Sequence, residues 1–269
     1  MSCARPSGFD AVWRLTALNP SRLGRRALGR RALCRWLLGS AVAAVLGGVA
    51  SASAQTANPQ ASDPSPVDPD LAARFRVSLT PRGGPPQVQH WQLRRSQTEI
   101  SWIKGDGLED IWRRDSSGIR LLRVLRAERH LIDYPAGELR ALQVAPDWQE
   151  LGSLFAESDL PQLHRESPVR PGQPVRWAGR IGAEQVDLLW DAAARLPLRL
   201  ARRSPAGQVL FERTALHPIA PADWPAAGAG TGDFQRLDAA DFGDMADNPV
   251  VQKARALDQR AGWRRAHRD

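Results

Sequence analysis

The sequence predicts a mainly β protein with helices, in which two antiparallel β meanders are separated by a helical insert. Three observations lead there. Between residues 87 and 216 apolar and polar residues alternate over short runs. Turn-forming residues recur at short intervals between those runs. Two other stretches, residues 147–155 and 250–260, carry helical spacing instead.

Residues 1–54 read as an N-terminal export signal. Arg22, Arg25, Arg26, Arg30, Arg31 and Arg35 precede an apolar segment, residues 36–50, that ends in Ala52-Ser53-Ala54. A basic flank, a short apolar core and small residues before a cut at Gln55 are the three parts such a signal needs. The segment is rich in Ala and Gly and falls short of the roughly 20 residues that cross a bilayer, which makes an uncleaved anchor the weaker reading. Arg30-Arg31 with Leu33 and Arg35 partly matches a twin-arginine signal, so that route stays open beside the general secretory one. Cys34 stands before the apolar core, on the wrong side for a lipidated first residue.

Removing the signal changes the composition. The whole chain has a formal charge of +8, but residues 1–54 hold eight arginines and a single acid, Asp10, leaving 29 basic and 28 acidic residues beyond them. A near-neutral domain gives no basis for a nucleic-acid partner, which requires clustered Lys and Arg. Both cysteines, Cys3 and Cys34, leave with the signal. The exported part therefore holds no disulfide, thiolate nucleophile or Cys-ligated metal, and its stability must come from a core.

Residues 55–70 form a polar, Pro-rich linker with too little apolar surface to fold. Asp68-Pro69-Asp70 then opens either a short helix or a first strand over residues 71–77. In the first meander Gln89-Trp91-Leu93 and Ile100-Trp102 alternate with polar partners, and runs at 108–114, 119–127 and 129–134 continue it. Asp147 is the expected N-cap of the insert, with Trp148, Leu151, Leu154 and Phe155 on one helical face. The second meander takes residues 175–180, 184–190, 196–203 and 208–216, with Gly207 in its last turn.

Within that meander, Val186-Asp187-Leu188-Leu189-Trp190-Asp191 is followed by a short turn and Leu196-Pro197-Leu198-Arg199-Leu200. Asp191 can accept turn N–H groups, and Pro197 fixes φ at the opening of a strand whose expected buried face is Leu196, Leu198 and Leu200. This hairpin resembles the LolA-like superfamily, which includes periplasmic lipoprotein carriers, outer-membrane lipoprotein receptors and the sensor RseB. The resemblance implies a strongly curved antiparallel sheet, a half-open barrel, with the helical insert on its concave side and a domain spanning residues 71–220. It also implies a non-catalytic periplasmic binding module holding a lipid, an acyl chain or a lipoprotein segment in an apolar concavity, with a membrane-associated protein as a second class of partner. An RseB-like regulatory module that docks proteins on its sheet is the alternative, and a periplasmic hydrolase a third.

The candidate wall of such a concavity is Trp91, Leu93, Ile100, Trp102, Trp148, Trp177, Leu188, Trp190, Leu198 and Leu200. The same residues serve equally as ordinary core, since aromatics dominate burial in any β protein. No cofactor is expected. His90, His130, His164, His217 and His267 are scattered without metal-ligand spacing, and no GxSxG elbow or Gly-rich phosphate loop occurs.

Residues 221–269 read as a flexible linker followed by an acidic-then-basic helical tail. Asp238, Asp241 and Asp244 are spaced by three but lack the Gly and terminal Glu of an EF-hand loop. Acids near helix starts account for them better, and Asn248-Pro249 opens a final helix. Phe234, Leu237 and Phe242 are apolar anchors for docking on the sheet or on another protein.

Overall fold

The computed structural model describes residues 70–263, so the expected export signal, most of the expected linker and His267 lie outside the described residues. The chain forms β1 (Leu71–Pro81), β2 (Gln87–Arg95), β3 (Glu99–Ile103), β4 (Leu108–Asp115), β5 (Gly118–Leu125) and β6 (His130–Tyr134). Helices α1 (Ala136–Ala141) and α2 (Trp148–Ser153) and a 3-10 turn (Glu157–Gln162) interrupt the strands. Strands β7 (Leu163–Arg165), β8 (Val175–Ile181), β9 (Glu184–Asp191), β10 (Leu196–Ser204) and β11 (Gly207–His217) follow. The tail adds β12 (Gln235–Asp238), a second 3-10 turn (Ala239–Gly243) and α3 (Pro249–Arg260).

All twelve strands belong to one curved sheet ordered β12-β6-β5-β4-β3-β2-β1-β11-β10-β9-β8-β7. Strands β12 and β7 are its two ends, so the sheet is not closed into a barrel, as the half-open expectation requires. Neighbours from β1 to β11 pair antiparallel, but β12 runs parallel to β6, and the sheet is therefore mixed. The strand option for residues 71–77 prevails for a physical reason. β1 joins the two meanders, pairing with β2 on one side and β11 on the other, and period-two alternation sends Leu71, Ala73, Phe75, Val77 and Leu79 to one face.

That inner face carries the core. Leu71, Ala73, Phe75, Val77 and Leu79 of β1, Trp91 and Leu93 of β2, Leu188 and Trp190 of β9, and Val209 and Phe211 of β11 form one cluster with residues of α2 and α3. The insert has its expected N-cap, Asp147, which accepts from the backbone N–H of Glu150 at 2.8 Å. It is shorter than its apolar spacing predicts. Leu154 adopts φ 61° and ends the helix at Ser153, so Phe155 packs from beyond it.

One other expectation needs correction. A register shift between Pro197 and Arg199 leaves Leu198 outside the pairing of β9 and β10, and it is half-buried and outside the core cluster. Helix α1, directly after β6, was not anticipated.

The tail wraps both faces of the β1–β6 half. Residues 221–232 run along the outer face: Arg94 of β2 donates to the carbonyls of Trp224 and Pro225, and Arg74 of β1 stacks 4.6 Å over the Trp224 ring. The Gly228 N–H reaches Glu109 of β4 at 3.0 Å, and Arg126 reaches the carbonyl of Ala229 at 2.9 Å. Beneath this strap Ile111 and Val124 are fully buried, although they point away from the main core. The chain then turns the sheet edge as β12 and enters the inner side as α3, whose first N–H groups are capped by Asn248.

Candidate functional site

Seven of the ten expected wall residues share the inner face: Trp91, Leu93, Ile100, Trp102, Leu188, Trp190 and Leu200, none more than 6% exposed. Their rings pack edgewise, Trp91 lying 6.1 Å from Trp102 and 5.6 Å from Phe211. Helix α2 lies over them. Trp102 donates to the carbonyl of Leu151 at 2.8 Å, and Arg95 to that of Gly152 at 2.9 Å. Gly152 permits this approach, because a Cβ there would meet Arg95 Cδ at 2.7 Å. Trp148 belongs to the same cluster, with Arg114 stacked 4.7 Å over its ring, whereas Trp177 packs against the cluster's edge and is only partly buried.

A cleft of about 290 Å³ opens at the β6 end of the inner face, formed by β6, α1, the second 3-10 turn and α3. Tyr134, Leu142, Phe242 and Trp263 are its apolar walls, and Glu138, Arg255, Asp258 and Gln259 complete it. Tyr134 stands nearly perpendicular to both Phe242, at 6.1 Å, and Trp263, at 5.7 Å. None of these residues was among the expected wall. The available signals were Phe242 as an apolar anchor in an acidic tail and Tyr134 as the single tyrosine of the chain.

A buried ionic cluster underlies the cleft. Arg123 of β5 is fully buried and donates to Asp110 of β4 and Asp258 of α3, both at 2.8 Å. Lys104 reaches the second oxygen of Asp110 at 2.7 Å, and the Tyr134 hydroxyl donates to Asp258. The guanidinium also lies against the Trp263 ring at 5.1 Å. Burial works to raise Asp110, but Arg123 and Lys104 outweigh it and hold that carboxyl well below the usual aspartate range. Burial also raises Asp258. Its share of Arg123 offsets this only in part, with Asp110 adding a like charge, so its pKa stays above the usual value. Burial pushes the Tyr134 hydroxyl well up, leaving it a neutral donor.

The other polar residues singled out in the sequence have structural partners. Asp238 caps the second 3-10 turn by accepting from the Ala240 N–H at 2.9 Å. The His217 ring stands edgewise on Trp224, and His130 Nδ1 lies 2.5 Å from the carbonyl oxygen of Glu128. Asp191 accepts from the N–H groups of Ala193 and Ala194, as the turn chemistry requires, and from Arg213 at 2.7 Å. Among the described residues no three His, Cys, Asp or Glu side chains gather around a common metal position. No helix among them is long and apolar enough to cross a membrane.

No protein-family model matches the chain, and no curated protein does. Several solved structures do. The MucA/MucB complex of Pseudomonas aeruginosa matches with 18% identity and a TM-score of 0.31, over 58% of this chain and 54% of the matched one. A LolA superfamily protein from Nitrosomonas europaea matches with 7% identity and a TM-score of 0.30, over 58% of this chain and 89% of its own. A structure named PNGF-II matches with 9% identity and a TM-score of 0.34, over 66% of this chain and 33% of its own. The aligned part spans about half the length of the MucB chains.

Proposed function

We propose that this is a periplasmic binding module that holds an apolar chain, from a lipid or a lipoprotein's acyl group, rather than an enzyme. The cleft between β6 and α3 carries the reading. Its volume is close to the lower end of the roughly 300–1,000 Å³ of ligand pockets, and aromatic and aliphatic walls with a few polar groups are what such pockets present. Tyr134, Leu142, Phe242 and Trp263 would hold the chain, while Arg255 and Gln259 offer donors to a head group at the rim. The export signal and the LolA-like hairpin around Trp190-Asp191 and Leu196-Pro197 agree with a periplasmic carrier.

The test is direct. Exported protein extracted under mild conditions should release lipid in mass spectrometry, and a fluorescent fatty acid should bind the emptied protein and quench Trp263. Leu142→Trp, which fills the cleft from one wall, should abolish both signals while keeping the parent circular dichroism. Absence of co-purified lipid together with no fatty-acid binding would leave the regulatory, protein-docking alternative in its place.

A further inference from the structure

The outer face of the β8–β2 half, beyond the strap, points to a second surface. Three hairpin tips stand side by side at one end of the sheet, because β1/β2, β10/β11 and β8/β9 are adjacent pairs in the order β2-β1-β11-β10-β9-β8. Each carries an exposed arginine: Arg82 just past β1, Arg203 near the end of β10 and Arg180 near the end of β8. The tips are held in register, since the Arg82 N–H donates to the carbonyl of Ala206 at 2.9 Å and Gly207 packs directly on Thr80. Among the described residues none of the three arginines forms an ion pair with a carboxylate, and the tip acid Glu184 is engaged by Arg202 at 3.6 Å. Arg199, Arg76 and Arg176 lie further along the same face, paired with Asp187, Glu212 and Glu166.

We infer that this basic ridge docks the protein on an anionic lipid bilayer surface. Arg82, Arg203 and Arg180 sit two strands apart from one to the next, about 10 Å at the usual strand spacing. The three arginines line a row of tips, with Arg203 Nε also donating to Gln208 at 2.9 Å, an arrangement that suits a plane of phosphate head groups better than one bound anion. The apolar edge agrees: Val88 is 49% exposed and follows Pro85 and Pro86 in the β1–β2 turn. Juxtaposed basic residues strengthen attachment to an anionic surface by about fivefold each at moderate salt.

Sedimentation with vesicles tests this. The purified protein should pellet with phosphatidylglycerol-containing vesicles and not with pure phosphatidylcholine vesicles, and salt above about 0.5 M should release it. The triple variant Arg82→Gln, Arg180→Gln, Arg203→Gln should lose about a hundredfold in vesicle affinity while keeping the parent circular dichroism and melting temperature. Leu142→Trp, which blocks the cleft, should pellet like the parent. Equal binding to neutral vesicles, no binding to anionic vesicles at low salt, or full binding by a folded triple variant would each overturn the assignment. An acidic protein captured by the ridge while anionic vesicles are ignored would do the same.

Discussion

Arg123 of β5 and Asp258 of α3, 135 residues apart, form an ion pair of 2.8 Å with the arginine fully buried and the carboxylate nearly so. The pair fastens the tail helix to the inner face at the floor of the cleft. Arg123→Met removes the cation and leaves Asp110 and Asp258 buried near each other, a change that costs about 3–5 kcal/mol when a buried pair is broken from one side. Urea unfolding should show this loss, and Asp258→Asn should lose less because Asp110 still satisfies the guanidinium. A loss below about 1 kcal/mol in Arg123→Met would mean that α3 is held by apolar packing alone.

The raised Asp258 gives a pH signature of definite sign. A carboxyl whose folded pKa lies above its unfolded value is favoured in the protonated state, so its contribution to stability falls as pH rises from the ordinary 3.8 through the folded value. Asp110, held low, contributes stability that is present above 3.8 and lost only as pH falls through its depressed folded value. The melting temperature of the parent relative to Asp258→Asn should therefore decline with rising pH across that first interval and then level off. A difference that grows with pH there would show that Arg123 outweighs burial.

Gly207 adopts φ 150°, and a Cβ on it would approach the carbonyl oxygen of Thr80 to 2.3 Å and the Pro81 Cα to 3.0 Å. Gly207→Ala must therefore push β11 away from β1. Conformational strain of about 1–3 kcal/mol is expected from the dihedral alone, with the contact added. A chemical denaturation midpoint unchanged from the parent would contradict the close approach.

Trp224 tests the strap. Trp224→Ala removes a buried ring that carries Arg74 on one side and His217 on another, and large-to-small changes of this kind cost about 3–5 kcal/mol. Hydrogen exchange should quicken at Gly228, whose N–H is held by Glu109, while amides of β9 and β10 stay protected. Uniform loss of protection across the sheet would instead make the strap inseparable from the global fold.

The strands were legible because one face of each is buried, so Trp91, Leu93, Ile100 and Trp102 impose a period of two that survives in the bare sequence. Caps were legible for a local reason as well: Asp147 and Asn248 bond N–H groups two or three residues away. What escaped depends on distant partners. Leu198 is displaced by a register shift against β9, α2 ends where Leu154 takes a left-handed conformation, and β12 runs parallel because the chain arrives at β6 from the outer face. The cleft was illegible for the same reason, since Tyr134 and Trp263 meet only after the tail has rounded the sheet edge.

The wrapped tail also sets an order of events. β1 finds β11 only after about 136 further residues, and Arg123, already paired with Asp110, gains its second carboxylate only when Asp258 arrives. High contact order of this sort slows folding. Residues 235–263 supply β12, α3 and the second carboxylate of Arg123, so the inner side of the β1–β6 half is completed only when they pack. Copies cut short before α3 would keep Arg123 without one of its two carboxylates and leave the inner face open to proteases.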